Sequence, residues 1–199
     1  MDNPLYLDVK DKYSHEYFMD GALKLASTAL ANGEFPVGCV VVYKNNIVAT
    51  GARTGTSIIN TSNIDFSDTV FSGTASSIIK NEIDHAEIIA LRQFVQTGFS
   101  GDTDKLRIYC TLEPCLMCFA AIMLSGIKHV VYGYEDIMGG GAGCDREKMA
   151  PLYRDCKISI TSGIRRRDSL LLFKSYFSNP KNNYWEGSLL SKYTLKQIV

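Results

Sequence analysis

Charge of one sign is the first thing this sequence lacks, since 21 Lys and Arg residues balance 21 Asp and Glu residues. A basic field over the whole molecule, of the kind that attracts nucleic acid, is therefore excluded, whereas a local basic patch is not. No apolar run approaches the roughly 20 residues that a membrane helix needs. The first residues, Met-Asp-Asn-Pro, have neither the basic start nor the apolar stretch of a signal peptide. We expect a cytoplasmic protein.

Cysteine is also sparse, with six residues in a chain of 199. In a cytoplasmic protein these are reduced thiols or metal ligands more often than disulfides. Four of them stand alone, three in apolar runs and one in a glycine-rich loop: Cys39, Cys110, Cys156 and Cys144. We interpret these four as small buried residues. Only Cys115 and Cys118 form a C-x-x-C pair, which needs a separate explanation.

The hydrophobic pattern alternates between strand-like and helix-like segments. Helices are predicted for residues 14–31, 115–124 and 168–177, with Ser14 as the N-cap of the first. Strands are predicted for 37–43, 47–49, 107–111, 128–134 and 157–161, the first two joined by a hairpin turn at Asn45-Asn46. A chain of this length fits one domain. The alternation favours an α/β fold, in which helices cover the faces of a sheet.

Two segments fall outside this alternation. Residues 54–84 are rich in Ser, Thr, Asn, Gly and Asp, and loops of this length are usually functional lids or disordered. A short helix is predicted within this segment at 74–81. The tail, residues 179–199, carries aromatic side chains among its polar ones: Tyr184, Trp185 and Tyr193. We expect the tail to dock on the body of the protein or on a partner chain.

Two short motifs, His85-Ala86-Glu87 and Pro114-Cys115-Leu116-Met117-Cys118, carry the residues that a catalytic zinc site needs. Such a site has three nitrogen or sulfur ligands from the protein and a fourth position for water. Cys115 and Cys118 lie at a predicted helix start, so both sulfurs share one face, and the positive helix end favours thiolates. His85 supplies the third ligand. Glu87 lies where a carboxylate reaches the bound water without ligating the metal, and H-x-E…P-C-x-x-C is the pattern of zinc deaminases.

Two other interpretations of the C-x-x-C pair are open from the residues alone. A structural zinc site needs a fourth protein ligand, and the remaining histidines, His15 in a helix and His129 at a strand start, are weak candidates. A redox pair would leave the His-Ala-Glu motif without a role. We therefore favour a catalytic zinc over both.

The sequence resembles the cytidine-deaminase-like zinc hydrolases, and among them the bacterial tRNA adenosine deaminases. The resemblance rests on both zinc motifs, on Pro36-Val37-Gly38 and on the helical segments at 14–26 and 169–177, and it covers roughly residues 14–53 and 84–178. It implies a three-layer α/β/α fold with a central mixed sheet and a homodimer. The implied domain organisation is a zinc-dependent deaminase domain over 1–178, an inserted loop at 54–84, and a C-terminal extension over 179–199.

The resemblance also implies hydrolytic deamination of a nucleobase. Zn²⁺ would be held by His85, Cys115 and Cys118, and Glu87 would take a proton from the zinc-bound water and pass it to the leaving ammonia. The residues expected around the substrate ring are Pro36, Val37 and Pro114. Arg53 stands where the family's tRNA enzymes have a substrate-binding asparagine. It is interpreted either as a substrate contact that faces a phosphate or as a solvated loop residue.

The sequence leaves the nature of the substrate open. The first hypothesis is adenosine in tRNA, converted to inosine. The alternatives are free guanine, cytosine or a small nucleoside or nucleotide, and, in another class, a zinc-stabilised binding module without catalysis. The one dense basic run, Arg165, Arg166 and Arg167, is interpreted either as an RNA contact or as a solvated turn.

Overall fold

The computed structural model describes residues 14–56 and 81–199. Most of the segment between Thr54 and Asp84, including most of the short helix predicted at 74–81, lies outside the described residues. Within the described ranges, no helix is long and apolar enough to cross a membrane.

The elements alternate as the hydrophobic pattern predicts. The helices are α1 (His15–Ala31), α2 (Ala86–Gln96), α3 (Leu116–Leu124), the single turn α4 (Pro151–Arg154), α5 (Arg166–Ser178) and α6 (Leu189–Lys196). The strands are β1 (Gly38–Tyr43), β2 (Asn46–Ala52), β3 (Leu106–Leu112), β4 (His129–Tyr134) and β5 (Ser159–Thr161). Short 3-10 turns at Thr103–Lys105 and Arg146–Lys148 complete the described part. Ser14 is the N-cap of α1, as predicted, and its side chain accepts the Tyr17 N–H at 3.2 Å.

The five strands form one mixed sheet in the order β2-β1-β3-β4-β5. The β1–β2 and β1–β3 pairs are antiparallel, whereas β3, β4 and β5 run parallel. The hairpin turn was predicted one residue too late, because Tyr43 pairs with Asn46 and leaves Lys44 and Asn45 as the loop. Both loop residues have positive φ, 46° and 65°, which a two-residue hairpin turn requires and which asparagine tolerates.

Helices cover both faces of the sheet and give the three-layer α/β/α fold. On one face, α1 and α5 pack against the central strands, and Val40, Val42 and Tyr109 point toward α1. On the other face, α2 and α3 pack over Cys39 and Cys110. The single cysteines Cys39 and Cys110 are fully buried, as expected, whereas Cys144 and Cys156 are partly exposed.

Two glycines allow helices to touch the sheet backbone. A β-carbon on Gly38 would lie 2.1 Å from the carbonyl oxygen of Ala22 in α1. A β-carbon on Gly51 would lie 2.0 Å from the carbonyl oxygen of Ala86 in α2. No side chain larger than hydrogen fits at such distances. Gly51 therefore fixes the position at which α2 begins.

The tail docks on the body of its own chain. Tyr184 and Leu190 are buried in the main hydrophobic cluster, and α6 packs against α5. The Tyr193 hydroxyl donates to Glu135 Oε1 at 2.6 Å, and the hydroxyl groups of Tyr134 and Thr194 lie 3.2 Å apart. Residues 179–199 are therefore part of the folded unit.

Candidate active site

Two helix N-termini meet at the edge of the sheet where the parallel strands β3 and β4 end. His85 is the N-cap of α2, and Cys115 is the N-cap of α3. An N-cap side chain ordinarily accepts a hydrogen bond from the first turn of its helix. Neither of these side chains does so, and both turn instead toward each other and toward Cys118 in the first turn of α3.

The three side chains have the geometry of a zinc site. His85 Nδ1 lies 3.5 Å from Cys115 Sγ and 3.5 Å from Cys118 Sγ, and all three ligand atoms lie within 4.8 Å of one another. Tetrahedral zinc with Zn–S of about 2.3 Å and Zn–N of about 2.0–2.1 Å separates nitrogen and sulfur ligands by about 3.5 Å. The ligand set therefore fits Zn²⁺ without rearrangement.

The described residues bring no fourth protein ligand to this group. His15, one of the two weak candidates, contacts the Tyr109 hydroxyl at 3.1 Å. His129, the other, lies 2.7 Å from Ser159 Oγ and 3.2 Å from the Asp104 carbonyl oxygen. A three-ligand site keeps a coordination position for water, which is the arrangement of catalytic rather than structural zinc.

The thiols of Cys115 and Cys118 have pKa values shifted in opposite directions. A hydrogen bond from the Cys118 thiol lowers the pKa of Cys115 to about 4, and the His85 ring contributes to the same shift. The same hydrogen bond, together with burial, raises the pKa of Cys118. The hydrogen bond with Cys115 raises the pKa of His85. Zinc requires both thiolates and a neutral imidazole, so metal binding here releases protons.

Glu87 lies in the first turn of α2 and is only 3% exposed. Its pKa is raised to about 7, mainly by burial and in smaller part by the nearby Cys115 thiolate. A carboxyl group with a pKa near neutrality can both accept and return a proton, which general acid–base catalysis requires. A divalent cation on the adjacent ligands favours the ionised, accepting form.

A cavity of about 320 Å³ opens above these residues. It lies within the size range of small-molecule sites, and its wall is mainly apolar. His85, Cys115 and Glu87 are among its lining residues. The other lining residues come from the segments beside β1 and β2, from the starts of α2 and α3, from the ends of β3 and β4 and the segments after them, and from the tail: Phe35, Val37, Arg53, Glu82, Ala86, Leu112, Glu113, Met117, Asp136, Met138, Gly139, Tyr184, Trp185 and Leu190.

Of the predicted substrate contacts, the cavity wall includes Val37 and Arg53. Pro36 and Pro114 are buried next to lining residues but are not part of the wall. The Pro114 carbonyl accepts the Gly141 N–H at 2.8 Å and so holds the glycine-rich loop against the start of α3. The structure thus places the two prolines behind the cavity.

Arg53 is not the solvated loop residue that was one of its two interpretations, because it is only 2% exposed. Its guanidinium donates to the carbonyl oxygens of Thr54 at 2.8 Å and Asp84 at 3.0 Å. It also lies 5.6 Å from the ring centre of Tyr184 and 3.7 Å from Glu82 Oε2. These contacts join the end of β2, the start of α2 and the tail.

Sequence reasoning gave no role to Glu113 and Asp136, two buried acids in the cavity wall. The Glu113 carboxylate accepts N–H bonds from Asp136 and Ala142 at 3.1 Å and from Gly143 at 3.3 Å, and burial raises its pKa. These bonds attach the glycine-rich loop to the site. Both acids follow the carboxyl ends of parallel strands, where open α/β sheets bind ligands, and that position was the available signal.

The basic run at the start of α5 is largely paired within the chain. Two nitrogens of the Arg165 guanidinium each lie 3.0 Å from a carboxylate oxygen of Asp20. Arg166 pairs with Glu135 and lies 5.2 Å from the Tyr134 ring centre. Arg167 is exposed, and none of the three lines the cavity.

The sequence pattern of a known protein family covers most of the residues that form this site. The family, described as the cytidine and deoxycytidylate deaminase zinc-binding region, matches residues 12–134. The chain belongs to this family. It is a zinc-dependent deaminase, and the His/Cys/Cys group at the helix ends is the set that fits the metal.

Individual relatives agree with this assignment. The chain is 29% identical over 174 residues to tRNA-specific adenosine deaminase 2 of Danio rerio. This alignment covers 83% of this chain and 72% of the relative. It is 26% identical over 183 residues to the tRNA-specific adenosine deaminase of Streptococcus pyogenes, and this alignment covers 91% of each chain. A solved structure from work on tRNA:A34 deaminases at the wobble position matches with a TM-score of 0.57 at 26% identity, over 78% of this chain and 98% of that one.

Proposed function

We propose that this protein converts adenosine to inosine in tRNA by hydrolytic deamination. One observation carries the chemistry: a buried carboxyl group, Glu87, lies beside a three-ligand zinc set at the base of a nucleoside-sized cavity. The RNA substrate is supported by the relatives, which are named as tRNA-specific adenosine deaminases.

In the proposed mechanism, His85, Cys115 and Cys118 hold the metal. Zinc bound there would lower the pKa of a water in its fourth coordination position to about 7. Glu87 accepts a proton from the attacking water and donates it to the amino group that leaves C6 of adenine as ammonia. The water oxygen bonds to C6 and the C6–N bond breaks, and the remaining hydroxyl proton moves to N1 to give inosine. One water is consumed, one ammonia is released and the carboxyl group ends in its starting state.

The apolar wall fits the flat faces of a purine. Phe35, Val37 and Leu112 line the cavity beside the zinc set, and bulk water is excluded where they contact the ring. A dry cavity strengthens the electrostatic interactions of Glu87 with the reacting atoms. We assign Val37 and Arg53 to the substrate wall, and Pro36 and Pro114 to its support.

The protein is further proposed to act as a homodimer, as the resemblance implies, and to be located in the cytoplasm. Both points are independent of the site chemistry. Light scattering of the purified zinc form and localisation of a tagged full chain test them separately.

The decisive experiment measures ammonia release by the zinc-loaded protein, with Glu87→Gln as the blank. The substrates are an anticodon stem-loop with adenosine at the wobble position, free adenine, guanine and cytosine, and their nucleosides and nucleotides. We expect turnover on the stem-loop and a loss of about 10²- to 10⁴-fold in Glu87→Gln at unchanged zinc content. Turnover confined to a free base, nucleoside or nucleotide would replace the tRNA proposal, and full zinc content without turnover on any substrate would indicate a binding module.

A further inference from the structure

The tail places an aromatic side chain at the rim of the cavity. Trp185 lines the cavity and is nevertheless 43% exposed, whereas its neighbour Tyr184 is only 5% exposed. Trp185 is also the one tryptophan in the sequence. Large aromatic residues usually bury most of their surface, so a half-exposed indole at a substrate site points to a ligand.

The neighbouring Tyr184 contacts this tryptophan and is itself held by Arg53 and Glu82, two residues from distant parts of the chain. The Tyr184 ring packs against Arg53, and its hydroxyl donates to Glu82 Oε2 at 2.8 Å. The edge-to-face contact between Tyr184 and Trp185 has a ring-centre distance of 5.5 Å and an angle of 73°. Arg53 is in turn fixed by the carbonyl oxygens of Thr54 and Asp84. The indole is thus attached to a buried cluster rather than to a free chain end.

The backbone of Trp185 is itself unusual. Its φ is 58°, in the left-handed region that residues with a β-carbon rarely adopt. Side chains held in such conformations concentrate at ligand-binding sites, where the surrounding structure enforces them. The turn that holds this conformation is closed by the Glu186 N–H, which donates to the Asn183 carbonyl oxygen at 3.3 Å, and by the Ser188 N–H, which donates to the Trp185 carbonyl oxygen at 3.1 Å.

A cavity of about 320 Å³ holds one nucleoside, so the neighbouring nucleotides of an RNA must cross its rim. Bases that leave the RNA stack find partners on exposed aromatic side chains. We propose that Trp185 is the stacking platform for a base next to the one being deaminated, with Tyr184, Arg53 and Glu82 as its positioning residues. The proposal rests on the proposed function in one respect, which is that the substrate is a polynucleotide.

The single tryptophan makes a direct test available. The zinc-loaded Glu87→Gln variant is titrated with the stem-loop, and the fluorescence of Trp185 is recorded. We expect the stem-loop to quench the emission because the indole stacks on a base. Matched stem-loops that carry an abasic site on the 5′ or the 3′ side of the target adenosine separate stacking from proximity, and one of them is expected to lose most of the quenching.

Kinetics on the stem-loop provide the second measurement. Trp185→Ala is expected to raise KM about tenfold, with kcat changed less than about twofold, and Trp185→Phe is expected to recover most of the loss. The abasic stem-loop that fails to quench should raise KM for the wild type but not for Trp185→Ala. Tyr17→Ala is the matched control, because Tyr17 is 45% exposed, similar to Trp185, and lies on α1 away from the cavity. Zinc content and melting temperature verify that each variant is folded.

The outcomes separate this inference from the proposed function. Deamination of the stem-loop with no quenching and an unchanged KM in Trp185→Ala would overturn the platform and leave the function standing. Quenching that depends on a flanking base, without any deamination of the stem-loop, would support the platform and reject the function. Neither quenching nor turnover would reject both.

Discussion

At the residue scale, the metal set is carried by three side chains, each of which supplies one ligand atom. Removing one of them leaves two ligands and an unfilled coordination position, so affinity for zinc must fall. We expect Cys118→Ala to lose most of its bound zinc and its activity while the sheet remains folded. Metal content of the purified variant checks this, with Cys156→Ala as the control because Cys156 lies outside the ligand group. Full zinc retention in Cys118→Ala would contradict the assignment.

Arg53 gives a second prediction at this scale. Because its guanidinium satisfies two buried carbonyl oxygens, replacing it leaves those acceptors without a charged donor. We expect Arg53→Met to lower the free energy of unfolding by about 1–3 kcal/mol. Urea denaturation of the zinc form measures this value. An unchanged stability would mean that these two backbone contacts contribute little to folding, whatever the effect of the substitution on KM.

Individual residues differed in how well the sequence predicted them. The zinc ligands and Glu87 follow from spacing, because helix geometry and metal chemistry restrict both. Arg53 has no such restriction: of its partners only Thr54 is adjacent, whereas Asp84 is 31 and Tyr184 is 131 residues away in the sequence. A sequence pattern carries no information on contacts of that kind.

At the scale of elements, the position of α2 depends on Gly51. A β-carbon there would lie 2.0 Å from the Ala86 carbonyl oxygen, so α2 would have to move away from the sheet and carry His85 and Glu87 with it. We expect Gly51→Ala to destabilise the protein by about 1–3 kcal/mol, which is the typical cost of adding atoms to a well-packed core, and to reduce its affinity for zinc.

Thermal unfolding and zinc titration of Gly51→Ala test this expectation. Gly143→Ala is the matched control, because a β-carbon at Gly143 meets nothing within 4 Å and its φ is not in the left-handed region. Equal stability of the two variants would show that α2 tolerates the shift and that its start is set elsewhere.

Strands and helices were predicted well, because hydrophobic periodicity is a local property. Helices α2, α4 and α6 were not predicted from periodicity, and the remaining errors lie at the ends of elements. The helix predicted from Asp168 begins at Arg166, since Arg165 adopts φ 53° and closes the preceding turn. β2 extends to Ala52, beyond its β-branched core, because its pairing with β1 continues to Gly38. Ends of this kind are set by pairing and turn geometry rather than by composition.

At the scale of the whole molecule, the tail forms part of the cavity wall, although nothing in its sequence indicates where it docks. Tyr184 joins the aromatic cluster around Phe35, whose ring centre lies 5.3 Å away. The choice between docking on the same chain and docking on a partner depends on which buried surface is available. That surface exists only after residues 35–56 and α5 have folded together. The composition of the tail alone therefore could not predict whether it docks on its own chain or on a partner.

The zero net charge of the molecule makes RNA binding depend on local cations, and salt dependence measures how many take part. Arg165 and Arg166 are paired with Asp20 and Glu135, whereas Arg167 contacts no carboxylate of the described residues. We therefore expect Arg167→Ala to reduce the slope of log K against log salt by about 0.7, the value for one phosphate contact with a single strand.

The slope is measured by fluorescence polarisation of a labelled stem-loop on the zinc-loaded Glu87→Gln protein between 50 and 200 mM salt, roughly the range over which such contacts weaken. Replacing all three arginines should reduce the slope little more than Arg167→Ala does, because two of them are already neutralised within the chain. A reduction of about 2, as three free contacts would give, would mean that RNA displaces the Asp20 and Glu135 pairs. An unchanged slope would remove the basic run from the RNA interface, and the tail rim with Trp185 would then be the surface on which neighbouring nucleotides depend.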